Sequence, residues 1–236
     1  MNSENLSKRL HTVVSFIPKG SVLADIGSDH AYLPCYAVYK GLVQAAIAGE
    51  VADGPWTSAY NQVKEEGFEG FISVRKGDGL EVLNPGEATC ITIAGMGGTL
   101  ISNILERGKE KLEGTKRLVL QPNIQAVNIR NWLLENDWEL IDEVILEEDG
   151  KIYEVLVAEK GNGNQPYTEN KDAELLLGPF LMKECNDVFK KKWSAEKEHW
   201  QNILKQLESS GKTDSSEAKQ EQLKRYSSFV EEALAK

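Results

Sequence analysis

The sequence predicts an α/β fold: a doubly wound, mostly parallel sheet of seven strands, followed by an antiparallel helical hairpin (a short coiled coil). Three observations carry this. Five short apolar runs each end in a small or acidic turn and are followed by helical spacing, the alternation that builds a helix-covered parallel sheet. Two further runs rich in Val, Ile and Leu flank Asp149-Gly150, a dipeptide suited to a tight hairpin. From Lys171 the composition is helical, with large apolar residues recurring at threes, fours and sevens.

Taken in order, Leu6, Leu10, Val13, Val14 and Ile17 mark a helix over Leu6 to Phe16, capped by Ser3 or Asn5 and stopped by Pro18-Lys19-Gly20. Val22 to Ile26 is the first strand and Gly27-Ser28 the turn after it. A helix follows from Tyr32 to Lys40, with Pro34 at its start. Ala45 to Gly49 is the second strand, ending at Glu50, and Pro55 to Glu66 is helical. Ile72 to Arg75 is the third strand, running into Gly77-Asp78-Gly79. Cys90 to Ala94 is the fourth, terminated by Gly95-Met96-Gly97-Gly98 before a helix bearing Leu100, Ile101, Ile104 and Leu105. Arg117 to Leu120 is the fifth, terminated by Gln121-Pro122-Asn123, and Asn128 to Glu135 is helical. Glu139 to Glu147 and Lys151 to Ala158 close the sheet as an antiparallel pair. In the tail, Val188 or Phe189, Trp193, Trp200, Ile203, Leu204 and Leu207 form one stripe. Ser209-Ser210-Gly211 interrupts it, and Leu223, Tyr226, Val230 and Ala233 or Leu234 form a second. The organisation is a sheet domain over 1–160 and a helical domain over 161–236.

At 236 residues and 41% hydrophobic content the chain has enough apolar surface for a core. No run approaches the roughly 18 to 20 apolar residues that span a bilayer, and the N-terminus lacks the order of a signal peptide. A soluble, cytoplasmic protein without membrane association is expected. Cys35, Cys90 and Cys185 are scattered and odd in number, which suits reduced structural thiols. No cluster of His, Cys and carboxylates has ligand spacing, so no metal is expected. The net charge of −10 excludes a uniformly basic coat for nucleic acid. Its distribution is uneven: residues 1–160 hold 15 Lys/Arg and 24 Asp/Glu, a net of −9, and 161–236 hold 12 and 13, a net of −1. Lys190-Lys191-Lys192 forms a cluster, and Lys8, Arg9 and Lys19 face only Glu4. Such patches suit a polyanion, although charge runs are usually solvated faces.

In a doubly wound sheet, ligands sit beyond the C-terminal ends of the strands. Gly27 allows a sharp turn and close approach of a ligand to the backbone. A dinucleotide fingerprint would need two more glycines, where Asp29 and Tyr32 stand; a carboxylate in the phosphate seat repels a pyrophosphate. A plain strand-to-helix turn with no ligand is the alternative. Three strand ends carry a carboxylate, which is costly in a packed loop unless something uses it. Glu50 is placed for two ribose hydroxyls and Asp78 for an adenine amino group. Asp25 can orient the first loop or reach an ammonium through water. Glu50 alone also suits an NAD ribose, and Asp78 beside Gly79 alone is most often a turn residue. As a set they describe a nucleoside with a charged amino-acid tail, S-adenosylmethionine.

Ala-Asp-Ile-Gly-Ser-Asp-His-Ala-Tyr-Leu-Pro at 24–34, Ala-Gly-Glu-Val at 48–51, Gly-Asp-Gly-Leu at 77–80, Ala-Gly-Met-Gly-Gly at 94–98 and Leu-Gln-Pro-Asn at 120–123 resemble the bacterial tRNA (adenine-N1)-methyltransferase family, TrmK. Leu-Gly-Pro-Phe-Leu at 177–181 resembles that family's entry into its helical tail. The resemblance implies a Rossmann-like class I methyltransferase domain, a C-terminal coiled coil, S-adenosyl-L-methionine as cofactor, and a D-arm adenine of tRNA as acceptor. No obligate protein partner is implied. Cofactor contacts are expected from Asp25, Gly27, Ser28, Glu50, Val51, Asp78, Gly79, Ala94, Gly95 and Met96. Substrate contacts are expected from Lys8, Arg9, Tyr32, Gln121, Pro122, Lys190, Lys191 and Lys192.

Adenine N1 lies on the Watson–Crick edge, so the base must be unpaired or flipped before it reacts. Positive charge then moves from sulfur onto the ring, where a carboxylate stabilises it. Asp29, one turn past the first strand, is the candidate; a helix N-cap is its alternative role. His30 can relay a proton or bond the loop. Asn123 can hold the base edge or cap the next helix. The fourth strand carries Gly95-Met96-Gly97-Gly98 in place of the Asp/Asn-Pro-Pro-Tyr/Phe clamp of many adenine amino-methyltransferases, which favours ring-nitrogen chemistry. A small-molecule methyltransferase and a noncatalytic RNA-binding module are the alternatives.

Overall fold

The computed structural model describes residues 5–209 and 214–235. The Ser3 cap and the Ser210-Gly211 part of the tail's turn lie outside the described residues. The chain divides into two compact units, Met1–Pro166 and Tyr167–Lys236.

In the first unit, β1 (Ser21–Ile26), β2 (Val43–Glu50), β3 (Ile72–Lys76), β4 (Cys90–Gly97), β5 (Arg117–Ile124), β6 (Trp138–Glu148) and β7 (Lys151–Lys160) form one sheet in the order β3-β2-β1-β4-β5-β7-β6. β1 to β5 are parallel, and β7 runs antiparallel to both β5 and β6. Five helices connect or precede them: α1 (Lys8–Ser15), α2 (Tyr32–Tyr39), α3 (Asp53–Glu65), α4 (Gly98–Arg107) and α5 (Ala126–Glu135). Strand order reverses at β1, which lies between β2 and β4, so the connections diverge and a crevice opens at the C-terminal ends of β1 and β4. The central strands are buried on both faces, which is why they read as continuous apolar runs: Leu23, Ala24, Ile91, Ile93, Leu118, Val119 and Leu120 are all in the core.

Two sets of boundaries differ from the sequence expectation. The first helix starts at Lys8 and its cap is Ser7, whose Oγ accepts the Leu10 N–H at 3.2 Å. The glycine-rich end of the fourth strand and Gln121 to Asn123 are not loops. They extend the ladder, with Met96 opposite Pro122 and Gly97 opposite Ile124, after register shifts around Met96. Gly95, at φ +79°, takes the left-handed conformation at that irregularity. At Gly98 a Cβ would stand 2.1 Å from the Gln125 carbonyl oxygen, so α4 packs backbone to backbone against the turn into α5.

In the second unit, α6 (Lys171–Leu177) and α7 (Pro179–Glu184) lead into α8 (Asp187–Ser209) and α9 (Asp214–Leu234). α8 and α9 run antiparallel: Trp200 meets Tyr226 at 5.6 Å, and Lys197 Nζ lies 2.8 Å from Glu231. Phe189, Trp193, Leu223, Val230 and Ala233 are buried between them. The aromatic stripe is therefore the seam of the hairpin.

All three cysteines are free. Burial pushes the thiols of Cys35 and Cys90 up to about 12, so both stay protonated and inert. Among the described residues, no helix is long and apolar enough to cross a membrane, and no group of three or more His, Cys, Asp or Glu is arranged to hold a metal ion.

α5 is fastened to the antiparallel end of the sheet by a charge cluster. Arg130 is fully buried; its Nε donates to Glu143 Oε1 and its Nη2 to Glu154 Oε2, both at 2.6 Å. Burial works against the guanidinium's charge, and the two carboxylates outweigh it. Breaking such a cluster from one side strands the remaining charges. Arg130→Met should therefore cost about 3–5 kcal/mol in urea denaturation, and Arg130→Met with Glu143→Leu and Glu154→Leu should recover most of it. A loss under about 1 kcal/mol for the single variant would mean that water reaches and solvates the two buried carboxylates once the guanidinium is gone.

Candidate active site

The first wall of the site is the turn after β1. Asp25 is 3% exposed and accepts hydrogen bonds from Ser28 Oγ and Thr92 Oγ1, both at 2.6 Å. Burial pushes its carboxyl above the usual carboxylate range, opposed by those two hydroxyls and by the charge of Arg9. Gly27 sits at φ +70°, and a Cβ there would lie 2.1 Å from Met96 Cε. The turn's N–H groups are engaged: Gly27 and Ser28 both donate to the Gly49 carbonyl, at 2.9 and 3.3 Å, and Asp29 donates to Glu50 Oε1 at 2.5 Å. Glu50 is buried at the end of β2, and burial raises its pKa while the Asp29 N–H opposes the rise. The Gly27, Ser28 and Asp29 N–H groups are thus spent within the fold.

The chain then passes through three consecutive left-handed residues, Asp29, His30 and Ala31, at φ 39°, 65° and 54°. This path turns the Asp29 side chain outward, 80% exposed, with His30 Nε2 3.6 Å from its Oδ1. The His30 ring stacks on Tyr32 at 5.3 Å, 11° from parallel. α2 has Ala31 at its N-cap position and no side-chain cap bond, so the capping role for Asp29 is excluded.

The opposite wall is organised by Gln121, which is fully buried. Its Oε1 accepts from Arg9 Nη1 at 2.6 Å and from the Gly95 N–H at 3.0 Å. Its Nε2 donates to the Pro122 carbonyl at 2.9 Å and to Asn123 Oδ1 at 3.3 Å. Asn123 is exposed, and its Nδ2 donates to the Gly95 carbonyl at 2.8 Å. Between the walls lies a cavity of about 290 Å³. Asp25, Gly27, Ser28 and Asp29 line one side, Ala94, Gly95, Met96 and Asn123 the other. Arg9, Leu10, Leu33 and Tyr153 complete it. A larger open groove of about 820 Å³ runs past residues 109–116 and Glu159-Lys160, away from every parallel strand's C-terminal end. The smaller cavity is the one at the switch point.

The model of the TrmK family, tRNA (adenine(22)-N(1))-methyltransferase, matches residues 23–232. The chain belongs to this family. A Bacillus subtilis (strain 168) tRNA (adenine(22)-N(1))-methyltransferase is 57% identical, with 94% of each chain covered. The crystal structure of the B. subtilis m1A22 tRNA methyltransferase TrmK superposes with a TM-score of 0.95 at 54% identity, over 98% of this chain and 99% of that one. A Streptococcus pneumoniae chain solved in complex with S-adenosyl-L-methionine gives a TM-score of 0.86 at 39% identity, over 98% and 100%. The TrmK sheet and its helical tail are thus the architecture of this chain.

Nine of the site residues singled out from the sequence line this cavity, namely Arg9, Asp25, Gly27, Ser28, Asp29, Ala94, Gly95, Met96 and Asn123; the others do not line it. Gln121 and Pro122, expected to touch substrate, are buried, and the Gln121 amide is engaged inside the fold. Arg9, expected with Lys8 to contact substrate phosphates, lines the cavity and donates to the buried Gln121. Asp78 stands apart: Arg107 Nη1 donates to its Oδ2 at 2.8 Å, and it forms a capping box with Glu81 over a 3₁₀ turn at Gly79–Val82. That pair lines a separate cleft of about 60 Å³, which shares no lining residue with the cavity at the switch point. Asn123 is no helix cap, because Gln125 holds the N-cap position of α5. Val51 is 61% exposed just past Glu50. Leu10, Leu33 and Tyr153 were missed as site residues, since each reads as the apolar face of its own element.

Because the folded chain disfavours the ionised form of Asp25, it holds that proton more tightly than the unfolded chain does. Stability is then lost as pH rises from the ordinary 3.8 through the raised value. Asp25→Asn should remove this loss, so its stability relative to the parent should grow as pH rises above the ordinary 3.8 in chemical denaturation. A difference that stays flat as pH rises would mean Asp25 ionises as it does in water.

Proposed function

We propose that this chain transfers a methyl group from S-adenosyl-L-methionine to N1 of a D-arm adenine in tRNA, adenine 22 in the family's description. The observation that carries the reading is the acidic glycine turn at the switch point: its N–H groups are taken, a buried carboxylate supports it, and an exposed one stands at its rim. Such a seat suits a cationic nucleoside better than a phosphate ester. The cofactor supplies an electrophilic methyl group on a sulfonium. Gly27, lacking a Cβ, lets Met96 pack against the turn, Glu50 holds ribose hydroxyls, and Ala94, Gly95 and Met96 form the floor. Asp25 keeps Ser28 and the turn in place.

For the acceptor, the stacked His30 and Tyr32 give a flat surface beside the rim, and Asp29 faces the charge that develops on the adenine. Gly95-Met96-Gly97-Gly98 stands where many adenine amino-methyltransferases carry a polar clamp for the exocyclic amine, which supports ring-nitrogen over amino-group methylation. Residues 1–160 do the chemistry; in 161–236 the aromatic seam stabilises the coiled coil and its polar faces hold RNA. Lys8 and Lys190 to Lys192 contact phosphates, without a metal or an obligate protein partner, in the cytoplasm. Mass mapping of nucleosides after incubation with S-adenosyl-L-methionine and tRNA tests the whole reading: 1-methyladenosine supports it, and N6-methyladenosine or no methylated tRNA overturns it.

Asp29→Asn should lower kcat by about a hundredfold while leaving Tm and cofactor affinity unchanged. A near-normal kcat would leave methyl transfer to positioning alone. Replacing Lys190, Lys191 and Lys192 together by Gln should raise KM for tRNA and flatten its salt dependence, the slope changing by about 0.7–0.9 for each phosphate no longer neutralised. An unchanged slope would make the cluster a solvated face.

A further inference from the structure

We propose that Arg9 is the counter-ion of the cofactor's carboxylate and that Glu148 positions it. This rests on the S-adenosylmethionine reading of the cavity and assigns the end of the ligand that reading leaves unpartnered. The methionine tail carries an ammonium and a carboxylate, and a carboxylate drawn out of water needs cationic or N–H donors. In this cavity four backbone donors are already committed: Gly27 and Ser28 to Gly49, Asp29 to Glu50, and Gly95 to Gln121. Asp25 and Asp29 would repel an anion. Arg9 is the only Lys or Arg among the residues lining the cavity.

Its guanidinium is held yet not used up. Nη1 donates to Gln121 Oε1 at 2.6 Å and the group lies 5.5 Å over the Tyr153 ring. It stands 3.7 Å from where a Cβ on Gly95 would be, so the bare glycine leaves the approach to it open. Nε and Nη2 hydrogen-bond no described residue, which leaves donors free for a bidentate partner. The backbone is fixed as well. The N–H groups of Lys8 and Arg9 donate to the two oxygens of Glu148, the last residue of β6, the Arg9 bond at 3.1 Å. The sheet edge thereby sets the first turn of α1, and α1 sets Arg9 over the cavity.

Calorimetry of the full chain with two ligands separates a carboxylate contact from a general one. S-adenosylhomocysteine has the carboxylate; S-adenosyl-3-thiopropylamine keeps the nucleoside, sulfur and ammonium but lacks it. Arg9→Gln should weaken the first by about tenfold or more and the second by less than about twofold, with Arg9→Lys in between. Glu148→Gln should weaken the first ligand in the parent and have no further effect in the Arg9→Gln background. Equal weakening of both ligands would overturn the proposal, leaving Arg9 as a support for Gln121 and Gly95. Unchanged S-adenosylhomocysteine affinity with a raised KM for tRNA would overturn it in favour of an RNA phosphate contact. If the parent chain bound neither ligand, the cofactor reading would fall and this inference with it.

Discussion

One buried amide holds the site together. Gln121 has no contact with solvent, and its oxygen and nitrogen together bond Arg9 of α1, the Gly95 N–H, the Pro122 carbonyl and Asn123. Four polar groups on three separate elements are satisfied at once, and each would be costly to bury alone. The bulged end of β4, the N-terminal helix and the extension of β5 are thereby locked to one another. A glycine-rich strand end that would otherwise fray becomes a fixed floor. Asn123 completes the lock from the exposed side by donating to the Gly95 carbonyl.

Around that lock the electrostatics are uneven by depth. Asp25 and Glu50 are buried and biased toward the protonated state, Asp29 is exposed at the rim, and a single guanidinium faces them. The carboxylates at depth favour a cationic ligand, because its charge relieves the cost of ionising them there.

Much of this was legible in the sequence. The strands were readable because parallel strands covered on both faces must be apolar throughout, and the hairpin was readable because its seam repeats at helical spacing. The strand ends were not. Gly95 to Gly97 and Gln121 to Asn123 carry turn residues, and only the pairing of Met96 with Pro122 across the ladder makes them strand. Arg9 was unreadable for a similar reason. Next to Lys8 on an amphipathic helix it looks like surface charge, and its inward direction is set by Glu148, 139 residues away in the chain. Asp78 was placed correctly at a strand end, but its partner Arg107 lies 29 residues on, at the far end of α4. Local pattern carries burial; it does not carry which distant group a side chain meets.

The three left-handed residues after the glycine turn have a consequence for how this protein can change. Each non-glycine residue in that region costs about 1–2 kcal/mol against the extended or right-handed alternatives, and Asp29, His30 and Ala31 do so in succession. Glycine at any of them would relieve the backbone and make the folded chain more robust. It would also delete the rim carboxylate, or the ring that stacks on Tyr32, or the anchor at the start of α2. At Ala31, which is fully buried in the core, the lost methyl contacts oppose that gain, so relief of the backbone by glycine comes without lost packing only at the exposed Asp29 and His30.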